Sequence, residues 1–271
     1  TGSTSKTLGQ LITEKTGLTL APFQELTGKG KKAITLPEII DEQLADLMAI
    51  QVTALLKLRE ICSQDLSNQG ITELYETLEL PLVAVLFKME QSGIALDNSI
   101  LYDLSQRVTK DIEKLSTSIY ELADREFNIA SPQQLSEILF DNLGLPPTRK
   151  LKQGFSTDQR ALESLRLTHP IIDNILEYRQ LTKLKSTYLD ALPSSIADDG
   201  RIHSDFQQTI TATGRLSSAN PNLQNIPVRT ELGREIRKAF QANTAQGAQL
   251  VGADYSQIEL RVLAHTSEDE G

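Results

Sequence analysis

The sequence predicts a mostly helical α+β protein, and three observations carry that prediction. Between Pro81 and Tyr188 apolar residues recur three or four positions apart over several long stretches, the spacing of one face of a helix. From Ile202 to Thr211 the pattern changes to alternation, β-branched toward its end, which reads as a strand or hairpin. No internal repeat or low-complexity segment breaks this order.

Composition narrows the class. A chain of 271 residues, 39% hydrophobic and 23% charged, can bury a real core. No run of about 18 apolar residues occurs, so a membrane-spanning helix is not expected. The N-terminus has no charged segment before an apolar core and no initiator methionine. With the abrupt C-terminus, this leads us to expect a piece of a longer chain. The single cysteine, Cys62, cannot form an intrachain disulfide and reads as a small buried residue in a reducing compartment. The net charge of −9 excludes a uniformly basic nucleic-acid binder. Distribution matters more than the total: residues 145–190 and 201–240 are both net basic, which suits a local groove for a polyanion. From charge alone, solvated helix faces explain the tracts equally well.

In chain order, residues 1 to about 60 read as short helices around a turn at Gly28-Lys29-Gly30-Lys31-Lys32, which lacks the spacing of a phosphate-binding loop. A helix from Leu36-Pro37 onward carries Leu44, Leu47, Ile50, Val52, Leu55 and Leu56. Another begins near Pro81, with Leu82, Val85, Leu86 and Met89 on one face. It stops at Ser92-Gly93, where glycine takes left-handed angles without a Cβ clash. Asp97 caps a long helix to about Ala123, faced by Leu101, Leu104, Val108, Ile112, Leu115 and Ile119. Ser131 as N-cap and Pro132 behind it start the next, with Leu135, Ile138, Leu139 and Leu143 inward. Gly144-Leu145-Pro146-Pro147 breaks the run. The loop from Thr148 to Gly154 is expected to be exposed and flexible, with Lys150 and Lys152 placed to touch phosphates without reading bases. Ser156 or Thr157 caps the following helix, and the last of the set, Pro170 to Tyr188, carries Arg179, Lys183 and Lys185. The middle third should therefore hold two long antiparallel helices and a basic tip.

Beyond the strand at Ile202, Thr213-Gly214-Arg215 makes a turn, and Ser218 to Asn222 has loop chemistry. Glu231 to Phe240 reads as a short charged helix and Gln249 to Asp254 as a strand. Asp254 then stands where a strand ends and an amphipathic helix begins, a frequent place for a metal-bound acid. Ser256-Gln257-Ile258-Glu259 has the spacing of a capping box. His203 and His265 have no partner at metal-ligand spacing and read as structural.

Several of these stretches resemble the bacterial family A DNA polymerases: Thr211-Ala-Thr-Gly-Arg-Leu-Ser-Ser, Pro221-Asn-Leu-Gln-Asn-Ile-Pro-Val-Arg-Thr and Asp254-Tyr-Ser-Gln-Ile-Glu-Leu-Arg. Upstream, Glu79-Leu-Pro-Leu and Met89-Glu-Gln-Ser-Gly-Ile-Ala-Leu-Asp look like the entry to that family's polymerase domain, and Tyr178-Arg-Gln-Leu-Thr-Lys-Leu-Lys-Ser-Thr-Tyr like its thumb helix. The resemblance runs in order from about Glu79 to the end.

The resemblance implies a partial right hand. Residues 1–60 would be the tail of an exonuclease-like (ribonuclease H-like) domain, 61–200 the entry helices and thumb, and 201–271 the first part of the palm. It implies addition of deoxynucleotides to a primer 3′ end, with primer–template DNA and deoxynucleoside triphosphates as partners and two Mg²⁺ ions as cofactors. A cytoplasmic, nucleoid-associated monomer without a membrane is expected. Asp254 matches the first metal aspartate, and the Tyr255 carbonyl would be a further ligand; a hard oxygen donor suits Mg²⁺. Glu259 matches the gate that excludes a ribose 2′-hydroxyl, a role compatible with the capping box. Arg215 matches the arginine that reaches the minor groove, where base pairs present similar acceptors whatever the sequence. Asn222, Gln224 and Asn225 would be neighbouring DNA contacts and Arg229 a supporting one, with loop hydrogen bonding as the alternative for the asparagines. Lys183 and Lys185 would contact duplex phosphates, or simply lie on a solvated face.

Departures from the family limit the expected activity. The second metal aspartate and the helix that grips the triphosphate would lie beyond Gly271, so the 271-residue chain alone is expected not to extend a primer. The tyrosine and aspartate of the family's last exonuclease motif fall on Ala45 and Ala49, which implies lost proofreading ligands. The competing reading is a non-catalytic primer–template-binding module, or half of a split polymerase. A nuclease is weaker, because no intact carboxylate cluster occurs upstream.

Overall fold

The structure is a computed structural model that describes residues 7–20, 24–28, 33–35, 38–242 and 247–268. Its helices begin with α1 (Leu8–Thr16), α2 (Gln24–Thr27), α3 (Asp41–Asn68), α4 (Thr72–Leu74) and α5 (Leu80–Ser92), a π-helical turn at Tyr75–Glu79 joining the last two. Strand β1 (Ile94–Leu96) leads into α6 (Asn98–Ala123), α7 (Pro132–Ser136), α8 (Gln159–Glu163), α9 (Ile171–Leu184) and α10 (Ala191–Ser194). Then come β2 (Arg201–Ile202), β3 (Asp205–Gln207), β4 (Ser217–Ala219), α11 (Glu231–Lys238), β5 (Phe240–Gln241) and α12 (Ile258–Ser267). The mostly helical α+β class is the observed one. By contact the chain forms two compact units, Thr1–Ser92 with Ser204–Gln224 and Gly93–His203 with Asn225–Gly271.

In the first unit, Ile12 of α1 packs on Ala54 and Leu58 of α3, with Cys62 half-buried at the edge. Lys15 Nζ lies 2.6 Å from Asp65 Oδ2 and ties the same two helices. The buried stripe of α3 is Leu47, Ala54 and Leu58. Ile50, Val52, Leu55 and Leu56, whose spacing predicts the helix, are exposed, because α1 meets only one narrow side of it. On α5 only Leu86 is buried, while Val85 and Met89 face outward. The Gly-Lys turn at 29–32 and the helix start at Leu36-Pro37 lie outside the described residues; the long helix itself begins at Asp41.

Strands β3 and β4 of this unit pair antiparallel, Phe206 opposite Ser218. The alternation after Ile202 is thus not one strand: His203-Ser204 separates β2 from β3, and the partner strand, Ser217–Ala219, takes in the first two residues of the stretch read as loop, Ser218 to Asn222. Two strands alone are marginal, and α5 anchors them. Glu90 Oε1 accepts the Phe206 amide at 2.6 Å, and Gln208 Nε2 donates to Glu79 at 3.0 Å (carbonyl) and 3.1 Å (carboxylate).

The second unit is organised around α6 and α9, which pack against each other. Its core joins Ile119 and Ala123 with Leu135, Ile138, Leu139, Leu162, Ile171, Ile172 and Ile175. Asp97 caps α6 and Ser131 caps α7, as their spacing predicts. The cap of α8 is Asp158, not Ser156 or Thr157: Asp158 Oδ1 accepts the Ala161 amide at 2.9 Å, while Ser156 Oγ turns back to Asp158 Oδ2 at 2.6 Å. The basic tip is tied at its base: Lys150 pairs with Phe155, the Leu151 amide donates to the Gly154 carbonyl, and the Phe155 amide donates to Ser136 Oγ.

A small sheet, in the order β2-β1-β5, closes the unit beside α6. Gly93 enters it at φ 56°, and a Cβ there would lie 2.7 Å from the Ile202 carbonyl oxygen, so only glycine fits. Thr230 caps α11 by accepting the Gly233 amide at 3.1 Å, and Arg107 of α6 pairs with Glu235 of α11. Residues 249–254 form no strand among the described residues, and Leu250 and Val251 are exposed. The capping box at Ser256 does not form either. The N-cap of α12 is Gln257, at φ 52°, without a side-chain cap.

Candidate nucleic-acid interface

The second unit holds a groove of about 690 Å³ where the tip, the start of α8 and the outer face of α9 meet. Arg149, Arg179 and Lys183 line it against one carboxylate, Asp158, and Ser156, Thr157, Thr182 and Ser186 add hydroxyls. Arg179 is half-buried. Its guanidinium donates to the Thr157 carbonyl and reaches Thr157 Oγ1 at 3.4 Å, and it bonds no carboxylate among the described residues. Loss of water lowers its pKa from the usual arginine value, an effect that the charge of Asp158 opposes. A partly desolvated cation with neutral partners favours an arriving anion. Asp158 is held below the usual carboxylate range, first by the Ser156 hydroxyl and then by the Ala161 amide, so it stays ionised opposite Arg149 at 3.5 Å. The Thr182 hydroxyl is buried and has no hydrogen-bond partner among the described residues.

Lys183, expected from sequence as a phosphate contact, stands exposed on this groove. Lys185 does not: its ammonium bonds Asp190 at 2.7 and 2.9 Å, as the chain after α9 turns through a π-helical stretch, Lys185–Leu189. Lys150 and Lys152 are exposed on the tip but do not line the groove. Arg149, Ser156 and Thr157 were not singled out as ligands from sequence. Arg149 sat within the basic tip, but nothing in the local pattern marks Thr157, whose place depends on Arg179 22 residues on.

In the first unit, Arg215 is exposed just after the left-handed Gly214, and its carbonyl accepts from Thr211 Oγ1 at 2.5 Å. Asn222 and Gln224 are occupied within their own loop. Asn222 Oδ1 accepts the Gln224 amide at 3.0 Å; Gln224 Oε1 accepts the Ser218 amide at 3.0 Å and its Nε2 donates to Leu216 at 3.1 Å. Loop hydrogen bonding, the alternative kept open from sequence, is what both side chains do here. In the second unit Asn225 and Arg229 are exposed, and the Asn225 carbonyl accepts from the Tyr188 hydroxyl.

Asp254, Tyr255 and Glu259 are all exposed. Asp254 stands in a segment without regular secondary structure before α12, and Arg261 Nε donates to the Ser256 carbonyl at 2.9 Å across the start of that helix. Among the described residues no group of three His, Cys, Asp or Glu side chains could close around a metal ion. Asp254 is thus a single exposed carboxylate, at most a partial donor set for a divalent cation. Ala45 and Ala49 lie exposed on α3 and offer no ligand. His203 is structural, its Nε2 lying 3.1 Å from Asp199 Oδ2. No helix is long and apolar enough to cross a membrane among the described residues.

A mostly helical unit whose groove carries three cationic side chains against one carboxylate is the class of domain seen here. The chain matches DNA polymerase family A over residues 98–271 and belongs to that family. It is 47% identical to DNA polymerase I of Lactococcus lactis subsp. cremoris over 251 residues, 93% of this chain and 28% of that protein. It is 54% identical to the thermostable DNA polymerase I of Thermus aquaticus over 200 residues, 73% of this chain and 24% of that one. The chain thus spans about a quarter of the length of such relatives. Among solved structures, the polymerase domain of Pol1 from M. smegmatis, in complex with DNA primer-template and dNTP, covers all of this chain at a TM-score of 0.81 and 37% identity, the chain matching 44% of that domain. The fold is that of part of a polymerase domain.

Proposed function

We propose that this chain serves template-directed DNA synthesis: it holds primer–template DNA and carries the first metal aspartate of a family A polymerase. The observation that carries the reading is the groove, where Arg179 and Lys183 stand on the helix that matches the family's thumb motif. Duplex phosphates are the ligand such a wall suits, since they give affinity without base choice. In this reading residues 61–200 are entry helices and thumb, 201–271 the start of the palm, and 1–60 the tail of an exonuclease-like domain that carries alanine at both ligand positions.

The remaining residues take roles by chemistry. Arg215 would donate to minor-groove acceptors at the primer end, and Asn222, Gln224, Asn225 and Arg229 would touch primer or template. Asn222 and Gln224 would first exchange their loop hydrogen bonds. Lys150 and Lys152 would meet phosphates at the tip, with Lys185 near the duplex only when released from Asp190. Asp254, with the Tyr255 carbonyl, would hold Mg²⁺ together with ligands from elsewhere; bound Mg²⁺ would neutralise charge on the phosphate oxygens of the incoming deoxynucleoside triphosphate. Glu259, five residues after Asp254 in the first turn of α12, would fill the space of a ribose 2′-hydroxyl. A monomer working in the bacterial cytoplasm completes the proposal.

The test is fluorescence anisotropy with a labelled primer–template duplex over a salt series. Binding that weakens linearly in log–log form with salt is expected. Salt-independent binding, or none, would count against the reading.

A further inference from the structure

Tyr188 is almost fully buried, at 5% exposure, yet its hydroxyl reaches a backbone carbonyl, that of Asn225, at 2.5 Å. The helix end that carries it is fixed on several sides. Leu189 and Leu192 are buried beside it, Lys185 bonds Asp190, and Ser105 of α6 donates to the same Asp190 at 3.2 Å. Asn225 is fixed from the other direction, because the next residue, Ile226, is buried while the Asn225 side chain remains exposed. Burial raises the Tyr188 pKa, so the hydroxyl keeps the proton that it donates. The same continuous helical run places Lys183 on the groove, five residues earlier.

We propose that Tyr188 is a positioning residue: its hydroxyl pins the Asn225 backbone and so orients the exposed Asn225 carboxamide for contact with the primer–template duplex. This deepens the reading that Asn225 touches DNA, and rests on it. A carboxamide on a backbone free to rotate loses orientation before binding, and holding it in place removes that cost. A tyrosine that merely fills the core would need its ring, whereas the proposal turns on the hydroxyl.

The experiment is a double-mutant cycle on duplex affinity with Tyr188→Phe and Asn225→Ala in the full 271-residue chain. The probe is a fluorescein-labelled primer–template with a short 5′ overhang. Each single variant is expected to bind roughly three- to tenfold more weakly, the range of one hydrogen bond. The double variant should bind no worse than Asn225→Ala, and Tyr188→Phe should leave the salt slope unchanged, since no phosphate contact is lost. Losses that multiply, or a Tyr188→Phe chain that binds like the parent while Asn225→Ala does not, would overturn the proposal. Unchanged binding by Asn225→Ala, or a parent chain that binds no duplex, would overturn the underlying reading and the proposal with it. Hydrogen exchange separates positioning from a general loss of structure. In Tyr188→Phe the amides around Ile226 should exchange faster while those of α9 keep their protection; loss at α9 as well would mark Tyr188 as a core residue only.

Discussion

At Arg179 a guanidinium gives up much of its water and receives only a carbonyl and a hydroxyl in return. A partly desolvated cation of this kind favours an arriving anion, and Lys183 beside it is exposed. Replacing Lys183 with alanine should therefore weaken duplex binding about equally for all sequences and reduce the magnitude of the log–log salt slope by about 1, read from anisotropy titrations. Asp254 and Glu259 are tested by chemistry instead. In a polymerase that carries this sequence, Asp254→Ala should abolish primer extension and leave duplex affinity largely intact; loss of affinity as the main defect would count against a metal-ligand role. Glu259→Ala should raise ribonucleotide incorporation relative to deoxynucleotide. Unchanged selectivity in that assay would leave Glu259 without a gate function. Asp254 stands out as a candidate from sequence because an apolar run ending in a carboxylate before a helix is a local pattern. Thr157 was not, because its partner is Arg179 on another helix.

At the scale of elements, caps and close approaches carry most of what is testable. Asp97 and Asp158 cap α6 and α8, and both are held below the ordinary aspartate range, each chiefly by a serine hydroxyl, Ser99 and Ser156 respectively. A depressed carboxylate stabilises the fold above its unfolded pKa and loses that contribution as pH falls through the folded value. Melting temperature should accordingly drop as pH falls below about 4, and Asp158→Asn should flatten part of that drop. Gly93→Ala forces a Cβ to 2.7 Å from the Ile202 carbonyl at a left-handed φ, so it should destabilise the second unit by about 1–3 kcal/mol in urea unfolding. The caps at Asp97 and Ser131 could be read from sequence because each stands alone before its helix. At α8, three capping residues occur in a row, and only the bonds of Asp158 and Ser156 decide between them.

Over the whole molecule, burial is concentrated in the second unit, whose core joins α6, α7, α8 and α9 around fully buried Ile172 and Ile175. Ile175→Ala should cost about 2–5 kcal/mol there, measured by calorimetry or denaturant unfolding. The first unit leaves much of α3 and α5 apolar and exposed. The sequence by itself determined the helical class, the caps of α6 and α7, the stop at Gly93, the tract in which the groove cations lie and the family, because periodicity, capping chemistry and motifs are properties of neighbours along the chain. Which faces of α3 and α5 are buried, whether residues 249–254 pair as a strand, that Lys185 answers Asp190 rather than the groove, and that Tyr188 reaches Asn225 were decided only by tertiary structure. Each depends on a partner far away in sequence, and the periodicity of one segment holds no record of what comes to lie against it.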